Sequence, residues 1–268
     1  MLAALAAPFR ILIRQRSAIM TFVQREIRSR YATSALGIGW TVIRPLSLLA
    51  LYTFVFSRVM QVRFGENAGT TDFAFNLFCG MVPWLAFSDG ISRAATAITD
   101  QAQLVKRVRF PSEILPVHQV LVALALESVG LVILLGGLLV AGRAPGWTLL
   151  ALLPLLLPQF LFTAGVAWAL ASVAVLLPDV RHIVTLALTF WMFGTPIFYP
   201  LSMVPDNVEW LFRLNPLTYL VEAYRGAVIE HQALALVPFG AFCAAALVVF
   251  VGGYWVFQRF KYEFADVL

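Results

Sequence analysis

The sequence predicts an all-α polytopic membrane protein with six transmembrane helices. Hydrophobic residues make up 61% of the 268 residues and charged residues only 12%, whereas soluble domains carry about 25% charged residues. The apolar residues form long unbroken runs, and spans of about 20 residues fit roughly six times into the chain. A β-barrel would instead alternate apolar and polar residues over segments of about ten. We therefore expect a single transmembrane domain over residues 1–268.

The predicted spans follow one another with two longer polar interruptions. They cover residues 34–59, 73–95, 114–141, 147–177, 182–201 and 234–257. The segment 96–113 separates the second span from the third. The segment 204–230 separates the fifth span from the sixth, and its six charged residues are too many for a helix that faces lipid.

The basic residues predict the orientation of these spans. Fourteen of the 19 basic residues lie in segments that alternate along the chain with the segments holding the other five. Lys and Arg are enriched in cytoplasmic loops. Both termini and segment 96–113 are therefore predicted to be cytoplasmic, and segment 204–230 is predicted to face outward.

An amphipathic interfacial helix is predicted ahead of the first span, within residues 1–33. Its apolar residues recur at spacings of three and four, and the opposite side carries Arg10, Arg14, Arg25 and Arg28. This pattern is typical of a helix that lies flat in the cytoplasmic headgroup layer. The alternative is a soluble helix packed on another domain.

The sequence contains no recognisable catalytic or metal-binding arrangement. His118, His182 and His231 lie far apart at different predicted membrane levels, and we interpret each as an interfacial or packing residue. Cys79 and Cys243 lie in apolar segments and form neither a disulfide framework nor a zinc spacing. A glycine-rich loop ending in Lys and Ser or Thr is also absent. The chain is therefore predicted not to be an enzyme and to bind no cofactor, so ATP-driven transport would need a separate ATPase subunit.

The cytoplasmic segment 96–113 is the best candidate for a docking surface. Apolar and basic side chains are interleaved in it at Leu104, Val105, Lys106, Arg107, Arg109 and Phe110. A peripheral partner could bind such an exposed, basic and partly apolar helix. Anchoring of the same basic residues to lipid headgroups is the alternative.

Two charged residues, Arg44 and Glu127, fall well inside predicted spans, away from the span ends. Arg44 lies roughly eight residues into the first span, about 12 Å deep, and Glu127 roughly thirteen residues into the third, about 20 Å deep. Because an arginine side chain can extend several ångströms, we predict that the two form an ion pair inside the bundle. A role in a proton or substrate path is the alternative. Asp89 and Arg93 are four residues apart and are predicted to form a structural pair on one helix.

Segment 204–230 is predicted to form two short helices that separate at Asn215, because a residue before proline disfavours helix. Irregular backbone at membrane depth must be buried in protein or face a water-filled path. We therefore interpret the pair as outward-facing re-entrant helices that close a pore. A helix pair lying on the outer leaflet is the alternative.

Aromatic residues recur in this segment and on the candidate pore spans. Those predicted to line the channel or its gate are Tyr52, Phe56, Trp84, Phe87, Trp191, Phe193, Tyr199, Tyr219 and Tyr224. Aromatic faces suit the C–H faces of sugars in a sliding path. They also suit an interfacial belt or a lipid-facing surface.

Four motifs, in order along the chain, resemble those of one family. They are Arg25-Glu26, Arg30-Tyr31, Ser34, Leu36-Gly37, Trp40 and Pro45 before and within the first span; Leu104 to Leu115; Gly194 to Tyr199; and Asn215-Pro216-Leu217-Thr218 through Tyr224-Arg225. Together they are similar to the membrane subunit of type-2 ABC exporters of polysaccharides, which include O-antigen, capsule and teichoic-acid permeases. Glu26 stands where that family more often has Asp, and Thr195 where it has Ser. The resemblance extends over essentially the whole chain.

The resemblance implies an assembly in the bacterial inner membrane. Two copies of the chain would enclose one channel and dock on two copies of an ABC ATPase subunit, which would bind the ATP and Mg. The N-terminal helix, including Arg10 and Arg14, and the segment 104–110 would contact that ATPase.

The resemblance also implies the cargo. An undecaprenyl-pyrophosphate-linked polysaccharide would be taken up from the cytoplasmic leaflet, where Arg25, Arg28 and Arg30 could attract its phosphates. O-antigen is the expected polysaccharide, ahead of capsule and teichoic acid. Membrane lipids are the other expected partners, and no nucleic acid is expected.

Three other classes of protein stay open. An ABC exporter of drugs or lipids could share this topology, with an apolar cavity in place of an aromatic one. A proton-coupled carrier could use Glu127. A membrane-embedded enzyme or scaffold is the third, although no cluster of His, Asp or Glu occurs at one predicted membrane level.

Overall fold

The computed structural model describes residues 2–32, 34–65, 68–107, 110–264 and 268. Throughout these residues the regular structure is helical, with no strand. The α-helices are α1 Leu2–Arg14, α2 Arg16–Tyr31, α3 Trp40–Tyr52, α4 Thr70–Thr96, α5 Ala102–Arg107, α6 Ile114–Val140, α7 Leu152–Leu176, α8 Val180–Phe193, α9 Asp206–Leu214, α10 Pro216–Val228 and α11 Leu236–Phe260. The all-α prediction is confirmed.

Five helical stretches in the described part of the chain are long and apolar enough to cross a membrane. They are Gly37–Val59, Thr70–Thr96, Ile114–Val140, Trp147–Leu176 and Leu236–Glu263. Helix α8, in the predicted fifth span, has only 14 residues. That length is about 21 Å, against a hydrocarbon core of about 30 Å. The prediction of six full-length spans is therefore not confirmed.

Helix α4 lies at the centre of the bundle and α3 at its edge. Sixteen of the 27 residues of α4 are buried, and the helix packs against α6, α7, α8 and α10. No residue of α3 is buried. Helix α3 continues into the wider π-helical turns of Thr53–Val59, which complete the first span.

Helices α7 and α11 cross with their backbones in contact at Gly165 and Gly253. A Cβ atom added to Gly253 would overlap the carbonyl oxygen of Gly165, and one added to Gly165 would overlap the carbonyl oxygen of Val249. Small residues allow membrane helices to approach this closely, so that backbone atoms make the packing contacts.

The N-terminal segment forms two helices where the sequence predicted one: α1 ends at Arg14, and α2 begins at Arg16. Helix α2 packs on α6, with Ile19 and Val23 among the buried residues of a small apolar cluster. In α1, the ring centroid of Phe9 lies 5.0 Å from that of Phe250.

Ion pairs join segments that the basic residues predicted to lie on the same side of the membrane. At one end of the bundle, Lys261 Nζ lies 2.7 Å from a carboxylate oxygen of Glu113. At the other end, Arg143 pairs with Asp72. The segments before and after α6 are therefore each joined to a segment that the prediction assigns to the same side.

Candidate functional site

Asn215 holds the turn that follows α8 against the start of α10. Its Nδ2 donates to the carbonyl of Gly194 at 3.1 Å and to the Thr195 hydroxyl at 2.9 Å. Its Oδ1 accepts from Trp191 Nε1 and from the backbone N–H of Leu217, both at 3.0 Å. Asn215 therefore caps α10 and positions the preceding turn at the same time.

Arg225 fixes the same turn from the opposite side. The residue is 2% exposed, and it donates to the carbonyls of Asn76, Pro196 and Ile197 at 3.2, 2.7 and 2.8 Å. It also donates to Glu222 at 2.8 Å. One guanidinium thus joins α4, α10 and the turn. The sequence marked Asn215 and Arg225 as motif residues, but neither was among the predicted site residues.

Glu127 does not form the predicted ion pair with Arg44. Its Oε1 accepts from the Tyr224 hydroxyl at 2.5 Å, and its Oε2 accepts from Gln159 Nε2 at 2.7 Å. Among the residues that the structure describes, Arg44 has no ion-pair partner. The prediction was wrong because depth along a span does not specify which neighbouring helix a side chain faces. Glu127 faces α7 and α10, whose uncharged groups satisfy it.

Tyr224→Phe is expected to lower the free energy of unfolding by about 1–3 kcal/mol, because the change leaves a buried carboxyl oxygen without its phenolic donor. Thermal unfolding of the purified protein in detergent would measure the effect. Tyr262→Phe is the matched control, since Tyr262 is 83% exposed. Equal unfolding temperatures for the two variants would show that the hydroxyl of Tyr224 contributes nothing.

The guanidinium of Arg30 forms ion pairs and hydrogen bonds with protein side chains and is not open to a lipid phosphate. Its side chain is 4% exposed, and its Nη1 lies 2.8 Å from Asp89 Oδ2. It also donates to Gln119 at 3.1 Å and to Glu26 at 3.4 Å. The same Asp89 accepts from Arg93 at 3.0 Å, which confirms the predicted pair on α4. The proposed phosphate role of Arg30 is therefore corrected to a structural link between α2, α4 and α6.

The other residues predicted to contact lipid or the ATPase differ in exposure. Arg10, Arg14, Arg25, Arg28 and Lys106 are exposed. Leu104 and Val105 are half-buried, and the Phe110 ring lies 5.6 Å from that of Phe22. Arg109 and the side chain of Arg107 lie outside the described residues. Their roles stay predictions.

The aromatic residues predicted to line the channel or gate fall into two groups. Trp84, Phe87 and Tyr224 are buried within the bundle. The second group is half-buried or exposed and consists of Tyr52, Phe56, Trp191, Phe193, Tyr199 and Tyr219. Phe87 packs between Phe162 and Trp191, and Tyr224 bonds Glu127. For these two residues the prediction is corrected to a packing role, because the recurrence of aromatic residues along a span does not distinguish a lumen from a core.

Two adjoining cavities lie along α4. The charged cavity, of about 230 Å³, is lined by five charged residues, Arg30, Arg44, Asp89, Arg93 and Glu127, together with apolar ones. The aromatic cavity, of about 270 Å³, lies between α3, α4 and α8 and is bordered by Tyr52, Trp84 and Phe198. Both cavities are lined by Arg44, Leu85, Ser88 and Ser92. They therefore meet beside Arg44.

The fold is that of a multi-pass helical membrane protein, and charged groups and irregular backbone border cavities within its bundle, as they do in transport proteins. In the described part of the chain, no group of three or more His, Cys, Asp or Glu residues could hold a metal ion. The chain belongs to the ABC-2 type transporter family, whose profile matches residues 17–229. The resemblance drawn from the four motifs is thereby confirmed.

The similarity to individual relatives extends over most of each chain. The O-antigen export system permease protein RfbA of Myxococcus xanthus is 33% identical over 261 residues, which cover 96% of this chain and 97% of that protein. A Klebsiella pneumoniae protein of the same name is 24% identical over 255 residues, or 93% and 94% of the two chains. The polysialic acid transport protein KpsM of Escherichia coli is 25% identical over 226 residues, or 80% and 82%.

Proposed function

We propose that this chain is the channel-forming permease subunit of an ATP-driven exporter of lipid-linked O-antigen. The observation that carries the proposal is 33% identity, over 96% of the chain, to a protein named for O-antigen export. The similarity covers 97% of that relative. Capsule polysaccharide is the second choice, because the polysialic acid transport relative aligns over only 80% of the chain.

The driving force would come from a separate ABC ATPase that binds ATP and Mg. The sequence carries no phosphate-binding loop of the kind that cradles ATP. Exposed basic residues on α1 and α5, including Arg10, Arg14 and Lys106, supply a surface on which such a subunit could dock. The termini and these helices would then be on the cytoplasmic side of the inner membrane.

A second copy of the chain would complete the channel. Helix α3 and the π-helical turns that continue it present large exposed apolar side chains, among them Leu51 and Phe54. Helix α8 presents Ile183, Leu186 and Phe190, which are 61%, 59% and 72% exposed. These apolar faces lie on neighbouring elements, and in a symmetric pair of protomers they would pack against the same faces of the second copy.

The segment from Thr195 to Val228 would form the outer gate. The turn at Thr195–Phe198 is buried, and α9 and α10 follow it as two short helices. Buried irregular backbone of this kind is tolerated at membrane depth. Helix α8 and this turn, in the predicted fifth span, would cross the membrane only in part and would bring the number of crossings to six. Helices α9 and α10 would then form a re-entrant pair that enters from the outside.

Deletion of the gene in the source organism is expected to abolish surface O-antigen while lipid-linked polysaccharide accumulates inside the cell. The wild-type gene should restore export, and the tagged protein should purify together with an ATPase. Lys106→Glu is expected to weaken that association, and Arg213→Glu, on the opposite side of the proposed topology, serves as its control. Unchanged surface O-antigen in the deletion strain would contradict the proposed cargo.

A further inference from the structure

Arg44 lies where the two cavities meet, without the carboxylate that the sequence predicted for it. The carboxyl of Glu127 is engaged by Tyr224 and Gln159. The other carboxylate of the charged cavity, Asp89, is paired with arginine. Within the described part of the chain no salt bridge reaches Arg44, so its guanidinium is available to a ligand.

The charged cavity has more positive charge than its own carboxylates neutralise. Arg30 pairs with Glu26 outside the lining as well as with Asp89, which Arg93 shares, and the only other acid of the lining, Glu127, is bonded to uncharged groups. Arg93 uses its Nε for Asp89 and keeps its side chain 42% exposed. A pair of arginines with unused N–H groups suits the oxygens of a phosphate, because the planar guanidinium can donate twice to one group.

The aromatic cavity has a different chemistry. Beside Tyr52, Trp84 and Phe198 it is lined by four hydroxyl-bearing residues, Ser88, Ser92, Thr185 and Thr189. Aromatic faces with hydroxyl groups between them match the C–H faces and hydroxyls of a sugar ring. A ligand that carries a phosphate next to a sugar would match both cavities at once.

We propose that Arg44, assisted by Arg93, binds a phosphate of the lipid pyrophosphate-linked substrate in the charged cavity, with the first sugar in the aromatic cavity. This inference rests on the proposed function and names the position of the phosphate–sugar junction within it. The phosphate contact thereby moves from the helix α2 residues predicted earlier, Arg25, Arg28 and Arg30, to the start of the first span.

Native mass spectrometry of the full-length protein, with any subunit that it retains, would test the proposal with undecaprenyl pyrophosphate as the probe. Arg44→Gln is expected to weaken binding about tenfold or more, the effect of losing a charge-assisted contact. Arg44→Lys, which keeps the charge, is expected to bind more tightly than Arg44→Gln. Arg58→Gln is the matched control, since Arg58 is exposed at the far end of the same span and lines neither cavity.

Two results would overturn the proposal. One is unchanged affinity of Arg44→Gln for undecaprenyl pyrophosphate, and Arg93→Gln provides a second variant should Arg44→Gln fail to fold. The other is a loss of phosphatidylglycerol binding in the same proportion, which would identify a general site for anionic lipid headgroups. Co-purification of the ATPase is measured separately, so a failure here is distinguishable from a failure of the proposed function.

Discussion

Gly253→Ala is expected to prevent the protein from accumulating in the membrane. The added methyl group would overlap the carbonyl oxygen of Gly165, which is backbone and cannot rotate away. Helices α7 and α11 would have to separate along the most extensive helix–helix contact of the described bundle. Overpacking of a tight core costs about 1–3 kcal/mol, and more where backbone must move, so a cost above about 3 kcal/mol is expected. Immunoblotting of membranes and size-exclusion chromatography would measure the folded protein.

The adjacent glycine gives a matched control on the same helix. A Cβ atom added to Gly252 meets nothing within 4 Å, and alanine favours helix over glycine. Gly252→Ala is therefore expected to accumulate as the wild type does. Equal amounts of folded protein from the Gly252 and Gly253 variants would refute the close crossing of α7 and α11.

Arg225→Lys is expected to be nearly as damaging as Arg225→Met, although it keeps the charge. An ammonium group at the end of a single chain cannot reproduce the fork that reaches the carbonyls of Asn76, Pro196 and Ile197. Leaving buried acceptors without donors costs about 1–3 kcal/mol each. We expect a lower unfolding temperature in detergent and, on the proposed role of the outer gate, leakage of small solutes from vesicles that contain the protein.

The control for this change is an arginine on the neighbouring helix. Arg213 on α9 pairs with Glu209, and its side chain is 67% exposed. Exposed ion pairs contribute little to stability, so Arg213→Lys is expected to behave as the wild type. An Arg225→Lys protein that unfolds at the wild-type temperature and stays sealed would show that the charge alone, without the three carbonyl contacts, is sufficient.

Features that depend on one stretch of chain were predictable from the sequence. The long spans follow from the length of the apolar runs, because the bilayer fixes the length that a helix must have. The Asp89–Arg93 pair follows from a spacing of four on one helix. The break between α9 and α10 follows from Pro216, which disfavours helix at the residue before it.

Features that depend on the rotation and neighbours of a helix were not predictable. Glu127 lies in α6 as its place in the apolar run predicts, but its partner Tyr224 is 97 residues away in sequence. Arg30 fits the pattern of an interfacial helix, and only the packing of α2 on α6 brings it to Asp89. The early end of α8 was missed because the apolar run continues past Phe193, while the chain already turns at Gly194 and Thr195.

The short helix α8 has a consequence for the thickness of the barrier. With 14 residues it covers about 21 Å, about 9 Å less than the hydrocarbon layer around it. A bilayer beside so short an apolar element must thin, or the protein must fill the difference. If α8 borders the channel that two copies of the chain would enclose, a hydrophilic polymer crosses a thinner apolar layer there than elsewhere in the membrane. Fewer sugar units then lose their hydration water at any one moment, so the free-energy cost of each forward step is smaller.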